Sequence, residues 1–435
     1  MKKIFFTLMI LAATLAASAK DGVGKYVGGD ISNLPLYEEH NSGYLDASGT
    51  KIDDLIVWLN EKCGWNTFRV RIFVNPSKKD HSGNTDNAVA QDLEYVKALG
   101  ARIKAQGCKF MLDFHYSDTW ADAGVHSKPS AWADATTDDA LATKVSEYTT
   151  SVLQALKAAD ATPDFVQVGN EIMYGMAGIN VAPYDQSSSN WDGFIKIVKA
   201  GCEAVRTECP NAEIILHTDR PGNAEYIKYW YGKMDAASVP YDVIGLSYYP
   251  FWHGWLTDLA NGLDECKTDF ASKKVQIVET GYYFQNWPSS GINYNTSSTW
   301  AASTAGQYGF ICDLIDKLAD YPQVEGLSYW NPEDAGNGDD TDWSKATTGT
   351  VEGSWSNRGL WWPSTSSTGH WPVTSSGNFI ATKMKDFLAP ETAVETVKGQ
   401  QTVEIASAPK AVMTKNGIVI KKGDKKYNVA GAIIE

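Results

Sequence analysis

Two glutamates stand where carboxylates can cut a sugar–sugar bond. Glu171 lies in Gly169-Asn170-Glu171, directly after the apolar run Phe165–Val168, and Glu279 lies in Val278-Glu279-Thr280-Gly281, after Val275–Val278. If both runs are parallel strands, both acids sit at strand C-terminal ends, the rim on which parallel barrels carry their active sites. Breaking a glycosidic bond needs a proton for the leaving oxygen and negative charge beside an oxocarbenium-like carbon. Two carboxyls about 5–5.5 Å apart supply both with retention of configuration. One must keep its proton while the other stays ionised. Taken singly, a strand-end Glu is often a solvated rim residue or a salt-bridge partner. Their joint placement after the fourth and seventh strands marks Glu171 and Glu279 as the catalytic pair.

The residues around them extend this reading. Asn170 can donate to a sugar 2-hydroxyl. The string Asp113-Phe114-His115-Tyr116-Ser117-Asp118-Thr119-Trp120-Ala121-Asp122 follows the third strand and reads as a substrate wall, with Trp120 as a stacking platform. Asp113 and His115 share a strand face, yet nothing completes a metal-ligand set, so sugar binding is preferred to metal there. Arg69 and Arg71 also share a face; one can hold the nucleophile ionised, and a structural ion pair is the competing role. His217 and Asp219 end the fifth strand. Ser247-Tyr248-Tyr249-Pro250-Phe251-Trp252-His253 ends the sixth, where a Tyr (Tyr248 is chosen) can bond the nucleophile and Trp252 can face substrate. Trp330 ends the eighth strand as a floor to the site, and Asp30 ends the first. Asp334, Asp339, Asp340 and Asp342 offer oxygen ligands in the eighth loop, but the EF-hand spacing is absent. A solvated loop is expected there, with no metal or other cofactor required.

Positioning these groups calls for eight parallel strands. Candidates are Tyr26–Ile31, Thr67–Phe73, Lys109–Phe114, Phe165–Val168, Glu213–Leu216, Val243–Ser247, Val275–Val278 and Gly326–Tyr329, separated by amphipathic helical patterns such as Val89–Gln106 and Asp139–Ala159. The expected fold is an α/β (β/α)8 TIM barrel with long βα loops, over residues 20–390. A doubly wound sheet would need a Gly-rich phosphate loop after strand one, and none is present. Residues 391–410 read as a linker and 411–435 as a small β appendage.

Composition bounds the rest. Residues 1–19 carry Lys2-Lys3, an apolar run and Ala17-Ser18-Ala19, a secretory signal peptide too short to span a bilayer. An exported protein in periplasm, at the cell surface or secreted is expected. The net charge of −14 argues against a nucleic-acid partner. The 16 Trp and 21 Tyr favour carbohydrate, since flat rings stack on sugar C–H faces. Of the six Cys, Cys63 and Cys108 precede apolar runs like small buried hydrophobes. Cys202 and Cys209 can pair only if their helix stops between them.

Assembled, the chain resembles glycoside hydrolase family 53, the endo-β-1,4-galactanases, over most of residues 26–335. The motifs are Gly29-Asp30-Ile31-Ser32, Asn66-Thr67-Phe68-Arg69-Val70-Arg71, Asp113 through Asp122 with Pro129 and Trp132, Gly169-Asn170-Glu171-Ile172, His217-Thr218-Asp219, Ser247 through Phe251, and Val278-Glu279-Thr280. The resemblance implies an eight-fold barrel and retaining cleavage of β-1,4-galactan, with Glu171 as general acid/base, Glu279 as nucleophile, Arg69 near the nucleophile and Trp330 as platform; a monomer is expected. Two features depart from the family. Tyr329-Trp330-Asn331-Pro332 stands where Tyr-Trp-Glu-Pro is common, and residues 281–295 lack the Asp-rich pattern of calcium-binding members. The alternatives are a mannanase or xylanase of the same clan, or a carbohydrate-binding barrel without catalysis.

Overall fold

The computed structural model describes residues 24–40, 43–284, 299–334, 358–361, 377–389 and, near the C-terminus, 410–414, 417–422, 425–427 and 433–434. The signal segment 1–19, the linker 391–409, Asp339, Asp340, Asp342 and most of residues 281–295 lie outside the described residues. The chain divides after Pro390 into two compact units.

In the first unit the expected barrel is present. Its strands are β1 (Tyr26–Asp30), β2 (Thr67–Ile72), β3 (Lys109–Phe114), β4 (Phe165–Val168), β5 (Glu213–Thr218), β6 (Val243–Tyr248), β7 (Lys274–Thr280) and β8 (Val324–Trp330). All pair in parallel, each with its sequence neighbour, and β8 closes on β1 through Tyr26–Gly326 to Asp30–Trp330. The runs are nearly continuously apolar because both faces of each strand are covered. Helices on the outside include α1 (Leu55–Cys63), α2 (Leu93–Ala105), α3 (Asp138–Ala158), α4 (Trp191–Glu208), α5 (Ala224–Ala236), α6 (Leu256–Asp269) and α7 (Thr304–Leu318). Side chains of Asp54, Asp92, Thr137, Asn190, Asn223 and Ser303 accept first-turn N–H groups and so start six of these helices at defined residues.

The interior of the barrel is layered. Met111, Phe165, Ile215, Val243 and Val278, with Tyr26 against Phe165 at 4.8 Å between ring centres, form an apolar floor separate from the core under the helices. Above it the inward positions become polar: Asp113, Gln167 and His217 each follow a floor residue by two positions, Ser247 follows Val243 by four, and Arg69 joins them from β2. One irregularity sets the site. Leu246 of β6 pairs with Ile277 of β7, but the next residue, Ser247, pairs with Glu279. Val278 is thus an extra residue, a β-bulge. Regular alternation would send Val278 and Glu279 to opposite faces. The bulge lets Val278 fill the floor while Glu279 also turns inward.

Cys202 lies within α4, which stays helical up to Glu208, and Cys209 caps it through its N–H to Val205 O, so no turn folds the two thiols together. All six thiols are free. Among the described residues no helix is long and apolar enough to cross a membrane. In the second unit, strands Lys410–Thr414, Gly417–Lys422, Lys425–Tyr427 and Ile433–Ile434 form an antiparallel sheet in chain order.

The strand N-terminal end of the barrel is tied by ion pairs. Lys274 reaches Glu213 at 2.6 Å and Glu325 at 3.4 Å, while Asp164 takes Lys104 at 2.6 Å and Lys109 at 2.9 Å. Asp164 also accepts the Phe110 N–H at 2.9 Å. Burial alone would raise this carboxyl, but the hydrogen bonds from Lys104, Phe110 N–H and Lys109 outweigh it, and the net shift is downward. A carboxyl lowered by folding stabilises the fold above its unfolded value, and that contribution disappears as pH falls through the folded value. Asp164→Asn is therefore expected to cost about 1–2 kcal/mol at pH 7. Denaturant titration should show the gap between variant and parent closing below about pH 4; a gap that stays constant down to pH 2.5 contradicts this reading.

Candidate active site

A cavity of about 550 Å³ opens at the C-terminal rim of the barrel, lined among others by Arg69, Trp120, Asn170, Glu171, Asp219, Tyr249, Trp252, Glu279 and Trp330. Its size falls in the range of small-molecule sites.

Arg69 organises the floor of the cavity. It is buried and reaches five acceptors: Asp30 Oδ2 at 2.7 Å, Asp113 Oδ2 at 2.8 Å, Asn170 Oδ1 at 2.8 Å, Gln167 Oε1 at 3.3 Å and Glu279 Oε1 at 2.9 Å. Burial by itself would favour loss of its proton, but Asp113, Glu279 and Asp30 keep it charged. Glu279 Oε2 accepts from the Tyr249 hydroxyl at 3.0 Å and the Ser247 hydroxyl at 3.4 Å. Burial, with the charges of Asp113 and Asp30, pushes the Glu279 carboxyl up to about 7, while Arg69 opposes this most strongly and the Tyr249 hydrogen bond helps to hold it down.

Glu171 has no such cation. It follows Gly169 (φ +89°) and itself adopts a left-handed conformation at φ +45°. Its Oε2 accepts the Ala123 N–H at 3.2 Å, and its own N–H donates to His217 Nδ1 at 3.2 Å. Burial, then the charges of Glu279 and Asp219, push its carboxyl well above the usual range. The environment therefore separates the pair: one acid has an arginine to share its charge, and the other is left to hold a proton.

The imidazole of His217 is buried, and desolvation holds it well below its ordinary pKa, hence neutral. Since Nδ1 accepts the Glu171 N–H, the proton sits on Nε2 and points at Ser247 Oγ, 2.8 Å away. The Ser247 hydroxyl is then free to donate to a carboxylate. His115 is similarly committed: Nδ1 accepts the Ala121 N–H at 2.9 Å and Nε2 lies 3.1 Å from Asp113. With both nitrogens taken, the Asp113–His115 pair has nothing to offer a metal. Among the described residues no group of three or more His, Cys, Asp or Glu is arranged to hold one.

Trp120 is gripped on two sides. The Arg71 guanidinium carbon lies 4.2 Å from its ring centre, and the indole N–H donates to Asp86 at 2.7 Å. Arg71 thus supports the platform, while Arg69 serves the nucleophile. Trp330 approaches Trp120 at 6.4 Å, and Trp252 is 49% exposed at the cavity edge with Arg358 against its ring.

Four expected ligand contacts are corrected. Asp30, Asp113 and His217 are fully buried beneath the cavity, committed to Arg69 or Ser247, and do not line it. Tyr248 points away; its hydroxyl donates to Gly254 O at 3.1 Å and its ring meets Phe310 of α7. The Tyr249 hydroxyl is the one that reaches Glu279. Period-two alternation carries the signal, since Gly245, Ser247 and Tyr249 share the inward face. Gln167, Asp86 and Ser247 were also missed, and nothing in their local sequence separates them from packing residues. Asn331, where the family pattern differs, is buried at φ +49° and does not line the cavity. Of the acidic eighth-loop residues, Asp334 is described; it is buried and accepts from the Tyr37 hydroxyl at 3.1 Å.

A closed parallel barrel that brings an arginine-bound carboxylate and a proton-holding carboxyl into one aromatic cleft defines a glycoside hydrolase. The comparisons specify which. The family model for glycosyl hydrolase family 53 matches residues 26–365. An arabinogalactan endo-β-1,4-galactanase of Cellvibrio japonicus is 31% identical over 347 residues, covering 76% of this chain and 86% of that one. The endo-β-1,4-galactanase of Bacillus subtilis is 30% identical over 311 residues, covering 70% and 69%. Among solved structures, an Ignisphaera aggregans GH53 catalytic domain superposes with a TM-score of 0.68 at 29% identity, over 83% of this chain and 96% of that one. The chain belongs to glycosyl hydrolase family 53. A psychrophilic family 10 xylanase, at 13% identity and a TM-score of 0.52 over 82% of this chain and 96% of that one, shares the fold alone.

Tyr249 offers a direct probe of the electrostatics. Its hydrogen bond lowers the Glu279 carboxyl, so Tyr249→Phe raises it. The acid limb of kcat/KM, where Glu279 must be ionised, is expected to move to higher pH by roughly half a unit to one unit. An acid limb that stays in place, or moves down, contradicts the assignment.

Proposed function

We propose that this protein is an exported endo-β-1,4-galactanase that cleaves pectic galactan with retention of configuration and works as a monomer. The observation that carries the mechanism is the asymmetry of the pair: Arg69 Nη2 lies 2.9 Å from Glu279 Oε1, while Glu171 Oε2 accepts the backbone N–H of Ala123. Export rests on the basic and apolar start of the chain. The choice of galactan rests on the names of the relatives and on the family motifs.

In the first step a Glu279 oxygen attacks the anomeric carbon as Glu171 gives its proton to the departing glycosidic oxygen. The negative charge of Glu279 is consumed in the ester bond, and Arg69 keeps Asp30 and Asp113 as counter-ions. Glu171, now ionised, takes a proton from water, which opens the glycosyl ester and restores Glu279. Tyr249 and Ser247 hold the attacking carboxylate in place. Trp120 and Trp330 present flat faces to sugar rings, the apolar C–H side of which stacks on indole.

The test is reducing-sugar release from pectic galactan, mannan and xylan by the parent, Glu171→Gln and Glu279→Gln. Galactan hydrolysis is expected from the parent, with each variant down by about a thousandfold or more. Turnover of mannan or xylan in preference to galactan contradicts the substrate. Galacto-oligosaccharide binding without turnover by the parent contradicts catalysis itself.

A further inference from the structure

Asp219 follows the last residue of β5 and is 1% exposed, yet it lines the cavity. Neither of its carboxylate oxygens accepts a hydrogen bond from another residue. Arg220 Nη1 stands 3.3 Å from Oδ2, but without hydrogen-bond geometry; that guanidinium instead donates through Nε to the Tyr174 hydroxyl at 3.3 Å and lies over its ring. The other carboxylates lining the cavity are all engaged. Asp80 accepts from Ser82 and Asn84, Asp86 from Ala88 and Trp120, Asp122 from Gly124, Glu171 from Ala123, and Glu279 from Tyr249 and Ser247. A buried carboxylate with open lone pairs is costly, and such an atom in a cleft calls for a donor that arrives from outside.

The surroundings say which donor. β5 pairs with β4, the strand that Glu171 follows, and the Glu171 N–H donates to His217, two residues before Asp219, whereas Glu279 of β7 meets Arg69 of β2; the charge of Asp219 acts on Glu171 as well. Asp219 therefore stands on the acid's side of the reacting pair, where the leaving group departs. A sugar leaving group there brings ring hydroxyls, and a carboxylate with two free oxygens matches two of them.

We propose that Asp219 recognises the leaving-group sugar, its oxygens accepting hydrogen bonds from hydroxyls of the pyranose whose glycosidic oxygen takes the Glu171 proton. This rests on the assignment of Glu171 as acid and deepens the reading above. Asp219 selects a carbohydrate leaving group over one that lacks hydroxyls, and in the reverse direction it selects a sugar acceptor over water.

The experiment compares the parent with Asp219→Asn and Asp219→Ala on three substrates that share a galactobiosyl donor: galactotriose, the 4-nitrophenyl glycoside and the phenyl glycoside. The ratio of kcat/KM on galactotriose to that on phenyl galactobioside is expected to fall at least about tenfold in both variants. Equal loss on galactotriose and phenyl galactobioside, with the 4-nitrophenyl substrate spared, overturns the proposal, because Asp219 would then act through the Glu171 proton. Unchanged ratios overturn it as well. A parallel measurement needs no variant: transfer by the parent onto methyl β-galactoside and its monodeoxy analogues. Loss of a single hydroxyl should lower transfer at least about tenfold at one position or more; equal transfer to all analogues counts against the proposal. If the parent does not cut galactan, the same ratios are read on the glycan it does cut, so failure of the substrate assignment and failure of the Asp219 role give different results.

Discussion

A single buried guanidinium dictates this active site. Removing a cation from water costs several kcal/mol, and a buried charge that loses its partner destabilises a protein by about 3–5 kcal/mol. Arg69 can therefore occupy the barrel interior only if acceptors surround it. They come from the ends of several strands: Asp30 from β1, Asp113 from β3, Gln167 and Asn170 from β4 and the turn after it, Glu279 from β7. Closing the barrel is what brings them within reach. The pairing of β1 with both β2 and β8 makes the polar layer a consequence of topology, with its members far apart in sequence.

The same cation creates the chemical difference between the two acids. Glu279 shares its negative charge with Arg69 and keeps two hydroxyl donors; Glu171, on a left-handed backbone, faces Glu279 and Asp219 without a cation of its own in hydrogen-bond contact. Two like charges near each other in a low-dielectric cleft cannot both persist, so the proton settles on the acid with less support. Non-glycine residues in the left-handed region cost of order 1 kcal/mol or more, and here that geometry turns the Glu171 carboxyl over the cavity. The two glutamates are thus distinguished by what stands behind each, even though the residues are identical.

How much of this was legible beforehand follows the same physics. The strands were readable because a parallel sheet buried on both faces needs continuous apolar runs, and the place of Glu171 and Glu279 at the cavity was readable because each ends such a run. Arg69 and Arg71 were seen to share a face, but their different partners arise from long-range packing. Tyr249 and Tyr248 are adjacent and chemically equal; only alternation along β6 separates them. The bulge at Val278 has no local signature, because the extra residue is another valine-type strand former. Asp30, Asp113 and His217 looked like ligands because polar strand ends usually face solvent; in this barrel they are consumed in neutralising and orienting the groups that do.

The most direct measurement is a carboxyl titration in solution. Protein labelled with 13C at the glutamate side-chain carboxyl, studied by NMR between pH 3 and 9, gives two resonances assignable by their absence in Glu171→Gln and Glu279→Gln. The account predicts that the Glu279 signal titrates at the lower pH and that the Glu171 signal moves down when Glu279 is neutralised. Titration in the opposite order, or independent titration of the two, contradicts it.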